Sequence, residues 1–345
     1  RPRTPVLALT PRTDLTIMDL QRSLLIGAIA VLSFMLLTDW VAFKDEKTAA
    51  TAETTTRIIS SSNNSASELP MVNQGFESSI DSSGDIPEVV DLEKNDTPSA
   101  VAQNVNNSRI IQIHTDVLQI AIDLQGGDLV EAALPAFLEK LDNPDVPFVL
   151  LEKNDQRLYI AQSGLIGPDG IDKEERPVFQ ASANKYALDE GQDTLQVNLD
   201  WENEYGVSIT KRFTLTRGEY LINVEYLVNN ASTERWQANL FGQIKRDSSE
   251  DPASSSGQGL TPFLGAATTQ PDDRFTKFDF EDMAEEPFKA QLPAGWIAMI
   301  QHYFLSAWIP NPEQSHTYST RVTKSGYNIA GFTSPALILD PGNNG

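Results

Sequence analysis

Residues 23–38 form an uncharged apolar run, bounded by Arg22 on one side and by Asp39 and Trp40 on the other. Everything that follows must lie on one side of whatever this run enters. Continued to Phe43, it makes a helix of roughly 32 Å at about 1.5 Å per residue, which matches a hydrocarbon core of roughly 30 Å. A cleaved signal peptide would have a shorter apolar region ending in a small-residue cleavage site, and Thr38-Asp-Trp-Val-Ala-Phe43 has no good one. The expectation is therefore an uncleaved transmembrane anchor over 18–43, against two competing readings, a cleaved signal and a buried soluble helix. Arg1, Arg3, Arg12 and Arg22 precede the run, so the positive-inside tendency leaves the N-terminus in the cytoplasm and sends the rest across. Arg22 and Trp40 then serve as the anchor's two interfacial residues.

Residues 1–17 lack methionine and carry Pro2, Pro5 and Pro11, whereas Met18 leads directly into the run. Met18 is the expected start, with 1–17 an upstream extension. From 44 to 107 the chain turns polar, with runs of Thr, Ser and Asn and few residues able to form a buried face; a disordered linker is expected there. One main domain, 108–345, remains. A formal charge of −22 argues against nucleic acid, whose phosphates demand a basic face, and suits an acidic soluble domain. The absence of cysteine excludes disulfides, thiolate metal sites and cysteine nucleophiles.

Order begins near Arg109. Ile111 and Ile113 alternate, then Leu118, Ile120, Ile122 and Leu124 follow at period two, which predicts strands with one buried face. Gly126-Gly127-Asp128 reads as a turn, and Phe148 to Leu151 as a strand buried on both faces. Leu195, Val197, Leu199 and Trp201, then Val207, Ile209, Phe213 and Leu215, predict a hairpin; Tyr220, Ile222, Val224, Tyr226 and Val228 add a third strand. Three consecutive antiparallel strands make a meander, and the domain is expected to be mainly β, a sandwich.

Between Lys245 and Leu292 the alternation is lost, and Phe263, Phe275, Phe278, Phe280 and Phe288 are scattered among acids. So long a loop without structure of its own is either functional or covers a sheet edge. Its phenylalanines read as pegs fixing the excursion to the sandwich or as a partner-binding surface. Residues 295–310, dense in aromatics but broken by Gln301 and His302, read as core, and Tyr327, Ile329, Gly331, Leu337 and Leu339 as closing strands.

The catalytic inventory is thin. His114, His302 and His316 share no ligand spacing, which leaves no metal site to nominate. No Gly-x-Ser-x-Gly elbow occurs; Ser163-Gly164 and Ser325-Gly326 read as turn dipeptides. Neither catalytic residues nor a cofactor is expected.

Met18-Asp-Leu-Gln-Arg-Ser-Leu-Leu25, Thr115-Asp-Val-Leu-Gln-Ile120, Gln125-Gly-Gly-Asp128, Ala161-Gln-Ser-Gly-Leu165 and Gly295-Trp-Ile-Ala-Met-Ile-Gln-His-Tyr-Phe304 through Ala307-Trp-Ile-Pro310 occur in that order. With this set the chain resembles, from Met18 to about Asp340, the N-terminal part of the YidC family of Gram-negative inner-membrane protein insertases. The resemblance implies a first transmembrane helix, then a periplasmic β-supersandwich like that of galactose mutarotases, and an insertase core beyond Gly345. It also implies an insertase or chaperone role for integral membrane proteins, alone or with the Sec translocon. The implied partners are nascent membrane proteins, SecF, SecD, the SecY channel and the lipid bilayer, with no nucleic acid. The stretch corresponding to the family's SecF contact runs from about Phe241 to Glu281, which makes Phe263, Phe275 and Phe278 the contact candidates. Two alternatives stay open: an anchored periplasmic binding or structural protein unrelated to insertion, and a mutarotase-type sugar enzyme, for which His114 or His302 would have to face Glu204 or Glu219 across a cleft.

Overall fold

The alternation of residues 195–228 becomes a three-stranded meander because each turn carries the residues its geometry needs. The computed structural model describes residues 84–87 and 109–345, apart from 141, 142, 144, 174 and 252–261. With strands numbered in chain order, β8 (Thr194–Glu202) turns into β9 (Val207–Thr216), and β9 into β10 (Ile222–Asn230). The Asn203 side chain accepts from the backbone N–H of Tyr205 at 3.0 Å and of Val207 at 2.9 Å. Gly206 closes that turn with φ 91°, a left-handed conformation glycine adopts without steric cost. With β6 (Gln180–Ala181) these strands form an antiparallel sheet in the order β10-β9-β8-β6.

The larger sheet has ten strands. Its order is β14 (Lys289–Leu292), β17 (His316–Val322), β18 (Asn328–Leu339), β11 (Trp236–Arg246), β5 (Leu158–Ile166), β4 (Pro147–Lys153), β3 (Asp128–Leu138), β2 (Gln119–Asp123), β1 (Ile110–His114) and β7 (Lys185–Ala187). All neighbours are antiparallel except β1 and β7. The expected closing strands are one continuous β18. The sheets share a core in which Ile111, Ile113 and Ile120 meet Val197, Leu199, Phe213 and Leu215, each such side chain contributing about 1.5–3 kcal/mol when fully buried. The mainly β sandwich expected from the alternation is what forms.

The segment expected to lack structure of its own does not lack it. β12 (Gly265–Thr268) and β13 (Thr276–Asp279) join β15 (Ile297–Ile300) and β16 (Leu305–Trp308) in a third sheet, ordered β13-β12-β15-β16. A short helix, α1 (Phe280–Glu285), follows β13, its N-terminus closed by a reciprocal cap between Asp279 and Asp282. β12 is buried at all four positions and β13 alternates over only two repeats, so neither stands out as an alternating row. Residues 295–310 are likewise only partly core, because β15 is buried whereas Tyr303, Leu305 and Ile309 are exposed. Ser325-Gly326 is a turn, with Gly326 at φ 80°, but Ser163-Gly164 lies inside β5.

The expected anchor with Arg22 and Trp40, and the expected extension 1–17, lie outside the described residues. Of the expected linker only residues 84–87 are described, and they lie against the ten-stranded sheet. Among the described residues no helix is long and apolar enough to cross a membrane.

Phe213 is fully buried between the two large sheets. Phe213→Ala should lower the unfolding free energy by about 3–5 kcal/mol, read from the urea midpoint. Tyr205→Ala, at the exposed tip of the β8–β9 hairpin, should change it by less than about 0.5 kcal/mol.

Candidate functional site: an apolar cleft over a buried charge cluster

The inner face of the ten-stranded sheet is left uncovered between the edge strands β10 and β16, and there the protein has a cavity of about 1070 Å³. Leu129 and Leu134 of β3, Leu151 of β4, and Phe241 and Ile244 of β11 are among its lining residues; Ile222 and Val224 contribute from β10, and the 303–311 stretch faces them. The mouth is apolar too: Tyr303 is 72% exposed, Ile309 66%, Leu221 55% and Leu305 52%. Aromatic rings cross it in a chain. Phe148 stacks on Phe304 at 4.2 Å, Phe304 meets Phe137 edge-on at 5.2 Å, and Phe137 lies 6.1 Å from Tyr220. Exposed apolar side chains gathered around a concavity mark a place where something apolar is received, since isolated exposed residues would carry no such meaning.

The cleft brings together none of the residues named for a sugar enzyme. His114, His302, Glu204 and Glu219 are all absent from its lining; His302 instead stacks on Tyr303 at 3.8 Å and donates its backbone N–H to Asp251 at 2.7 Å. His316 does line the cleft, but both ring nitrogens are engaged, Nδ1 with Ser334 Oγ at 3.1 Å and Nε2 with the Asn311 carbonyl at 2.8 Å. Among the described residues no three His, Asp or Glu side chains converge as metal ligands.

The three phenylalanines named from the sequence divide into two groups. Phe263 and Phe275 are joined by Lys277, whose ammonium lies 5.0 Å from the first ring centre and 5.6 Å from the second. Phe275 is exposed and leans on Trp296 at 5.9 Å. Phe278, one residue on from Lys277 along β13, points the other way and packs on Phe288 at 4.9 Å against the core.

Beneath the cleft floor lies a cluster that alternation alone did not reveal. β9 buries its odd positions, and at the centre of that row stands Lys211, fully buried. Its ammonium donates to the carbonyls of Gly126 at 3.0 Å and Ser163 at 3.1 Å. Arg176 donates to the same two carbonyls, each at 3.1 Å, and pairs with Asp128 and, at 2.8 Å, with Asp172. Asp172 accepts the Leu165 N–H at 2.7 Å, and Gln162 donates to Asp128 at 2.8 Å. Two motifs distant in sequence, Gln125-Gly-Gly-Asp128 and Ala161-Gln-Ser-Gly-Leu165, therefore meet here. Gly164 leaves the space the Asp172 carboxylate fills. Ser163 Oγ meets the Tyr226 hydroxyl at 3.2 Å, and both residues line the cleft, so the cluster reaches its floor. The available signal was the lysine itself, an ionisable residue inside an otherwise apolar alternating row.

The chain is thus a β-sandwich with an open apolar cleft above a buried ionic cluster. Residues 110–345 match the family described as YidC periplasmic domain, and the chain belongs to that family. It is 38% identical over 331 residues to the membrane protein insertase YidC of Marinomonas sp. (strain MWYL1), covering 95% of this chain and 57% of that protein. Against the protein of the same name from Cellvibrio japonicus (strain Ueda107) it is 39% identical over 330 residues, covering 95% and 56%. The chain thus spans little more than half the length of these relatives. Among solved structures, a galactose mutarotase-like protein from Lactobacillus casei aligns at 11% identity with a TM-score of 0.42, over 68% of this chain and 97% of that one. Nothing about activity is carried over from it.

Burial drives the Lys211 ammonium down to about 7 and pushes the Asp172 carboxyl up to about 6. The folded protein releases the Lys211 proton more readily than the unfolded chain. This group therefore adds stability as pH rises from about 7 towards its ordinary 10.5. Asp172 takes a proton more readily when folded, and it removes stability as pH rises from its ordinary 3.8 to about 6. Urea unfolding across pH should show the first slope lost in Lys211→Met and the second lost in Asp172→Asn.

Proposed function

We propose that this chain is the anchored periplasmic portion of an inner-membrane insertase that helps integral membrane proteins insert and fold, alone or with the Sec translocon. Its N-terminus lies in the cytoplasm, the run at 23–38 spans the bilayer, and the sandwich stands in the periplasm. The reading is supported by relatives named membrane protein insertase YidC and by the basic residues preceding the apolar run. The observation that carries it is the cleft, which offers an emerging apolar segment a surface ringed by Phe137, Tyr220, Leu221, Tyr303, Leu305 and Ile309. The domain acts by holding, and makes or breaks no bonds. The cluster of half-buried Phe263 with exposed Lys277 and Phe275 is the proposed contact for SecF, with SecD and SecY brought near through it; Phe278, packed towards the core, positions the strand that carries Lys277.

Protease added outside spheroplasts with a sealed inner membrane should digest the sandwich and spare the N-terminus; an untouched sandwich overturns the orientation. In cells depleted of their own insertase, the full-length gene that includes this chain should restore insertion of small membrane proteins, and failure to restore it rejects the role. An apolar fluorescent probe should bind the full chain at the cleft, and Leu305→Asp with Ile309→Asp should weaken it about tenfold or more, because each change puts a charge on an apolar rim.

A further inference from the structure

The ten-stranded sheet has a second face whose chemistry is unlike the cleft's. Cross-strand pairing sets Gln162, Gln243, Gly331 and Ser319 in one row, and Ile160, Lys245, Ile329 and Arg321 in another. Residues paired directly across neighbouring strands point to the same side, and side chains alternate along each strand. Ala161, Ile244, Ala330 and Thr320 form the intervening row and point the opposite way, and Ala161 and Ile244 line the cleft. The face turned away from the cleft therefore carries two cations and two side-chain amides on adjoining strands.

Residues 84–87 lie on that face. Gln243 Nε2 donates to the Asp85 carbonyl at 2.6 Å and Arg321 Nη2 donates to it at 3.3 Å, while the Lys245 ammonium pairs with the Asp85 carboxylate at 2.5 Å. Ile86 is half-buried and Pro87 buried. The receiving groups are braced by one another: Arg321 donates to Gln243 Oε1 at 2.7 Å, Gln243 reaches Gln162 Oε1 at 3.0 Å, and the Lys245 ammonium sits 4.4 Å from the centre of the Tyr327 ring. Gly331 makes room for this arrangement, since a Cβ there would stand 2.7 Å from Gln243 Cβ. Arg321 is 2% exposed. Burial draws its guanidinium down to about 10, and Asp85 is the charge that opposes this. A buried cation needs a facing carboxylate, and here it comes from a segment more than two hundred residues earlier in the chain.

We propose that residues 84–87 are a clip, a bent Gly-Asp-Ile-Pro segment seated in an acidic-peptide site built from Gln243, Lys245 and Arg321 on the back of the ten-stranded sheet. Among the described residues the clip is the most N-terminal hold on the sheet, at Asp85, ahead of Arg109. A pull from the N-terminal side then falls on β11 and β17 before it reaches β1, which is held along five residues by β2 and along three by the short edge strand β7. The cleft, on the opposite face, stays open while the clip is closed.

The test uses the full chain in detergent and a water-soluble carbodiimide, which joins a carboxylate to an amine only where the two touch, followed by peptide mass spectrometry. The expected product is an Asp85–Lys245 link within one chain, abolished in Asp85→Asn. Lys245 linked equally to Asp81, Glu88 or Asp91, linked to none of this segment, or linked to Asp85 only between differently labelled copies overturns the clip. Limited elastase digestion supplies the second arm. Cleavage between residues 81 and 90 should be about fivefold faster in Asp85→Lys than in the unaltered chain, the factor that an ion pair of about 1 kcal/mol supplies. Equal rates overturn it as well.

Discussion

The arrangement of the sandwich depends on one buried contact between its two large sheets, where Lys211 and Arg176 share the carbonyls of Gly126 and Ser163 with Asp128 and Asp172 close by. Two cations and two carboxylates taken from water are costly unless each is paired and hydrogen-bonded. Here the pairing fixes geometry. The Gly126-Gly127 turn must present a carbonyl inward, β5 must lack a side chain at Gly164, and β9 must carry its lysine opposite Tyr226. Shifting β9 by one residue would turn Lys211 and its apolar row outward together and leave Arg176 alone on the two carbonyls, so the charge cluster reinforces the register that the buried row already sets.

The cleft follows from that constraint. Once the meander is pinned over β3 and β5, β10 becomes the last strand of its sheet and stops short of covering β4, β11 and β18. The small third sheet borders the other side, and its β16 turns alternate side chains towards the open space. Apolar floor is thereby exposed in a chain whose formal charge is −22. Such a surface sets no fixed geometry for what covers it, because burial of apolar area is non-directional.

Much of the β architecture was legible in the chain. Period-two rows at 111–124 and 195–228 became β1, β2, β8, β9 and β10, because alternation is the direct imprint of one buried face. The segment from 245 to 292 was not legible: β12 is buried throughout, β13 alternates over only four residues and α1 is six residues long, so no row is long enough to stand out. The cleft residues were read as core for a related reason. Tyr303, Leu305 and Ile309 look the same in sequence whether they face an interior or the mouth of a cavity.

Residue order alone determined that this chain is a β-rich acidic globule following an apolar run, since hydrophobic periodicity and composition are local properties that need no fold to be read. The tertiary structure decided which apolar side chains stay uncovered, that the Gln125-Gly-Gly-Asp128 and Ala161-Gln-Ser-Gly-Leu165 motifs close on one lysine, and that Asp85 faces Lys245 and Arg321. Each of these is a relation between residues far apart along the backbone, and it comes into being only when strand order and register set their distance.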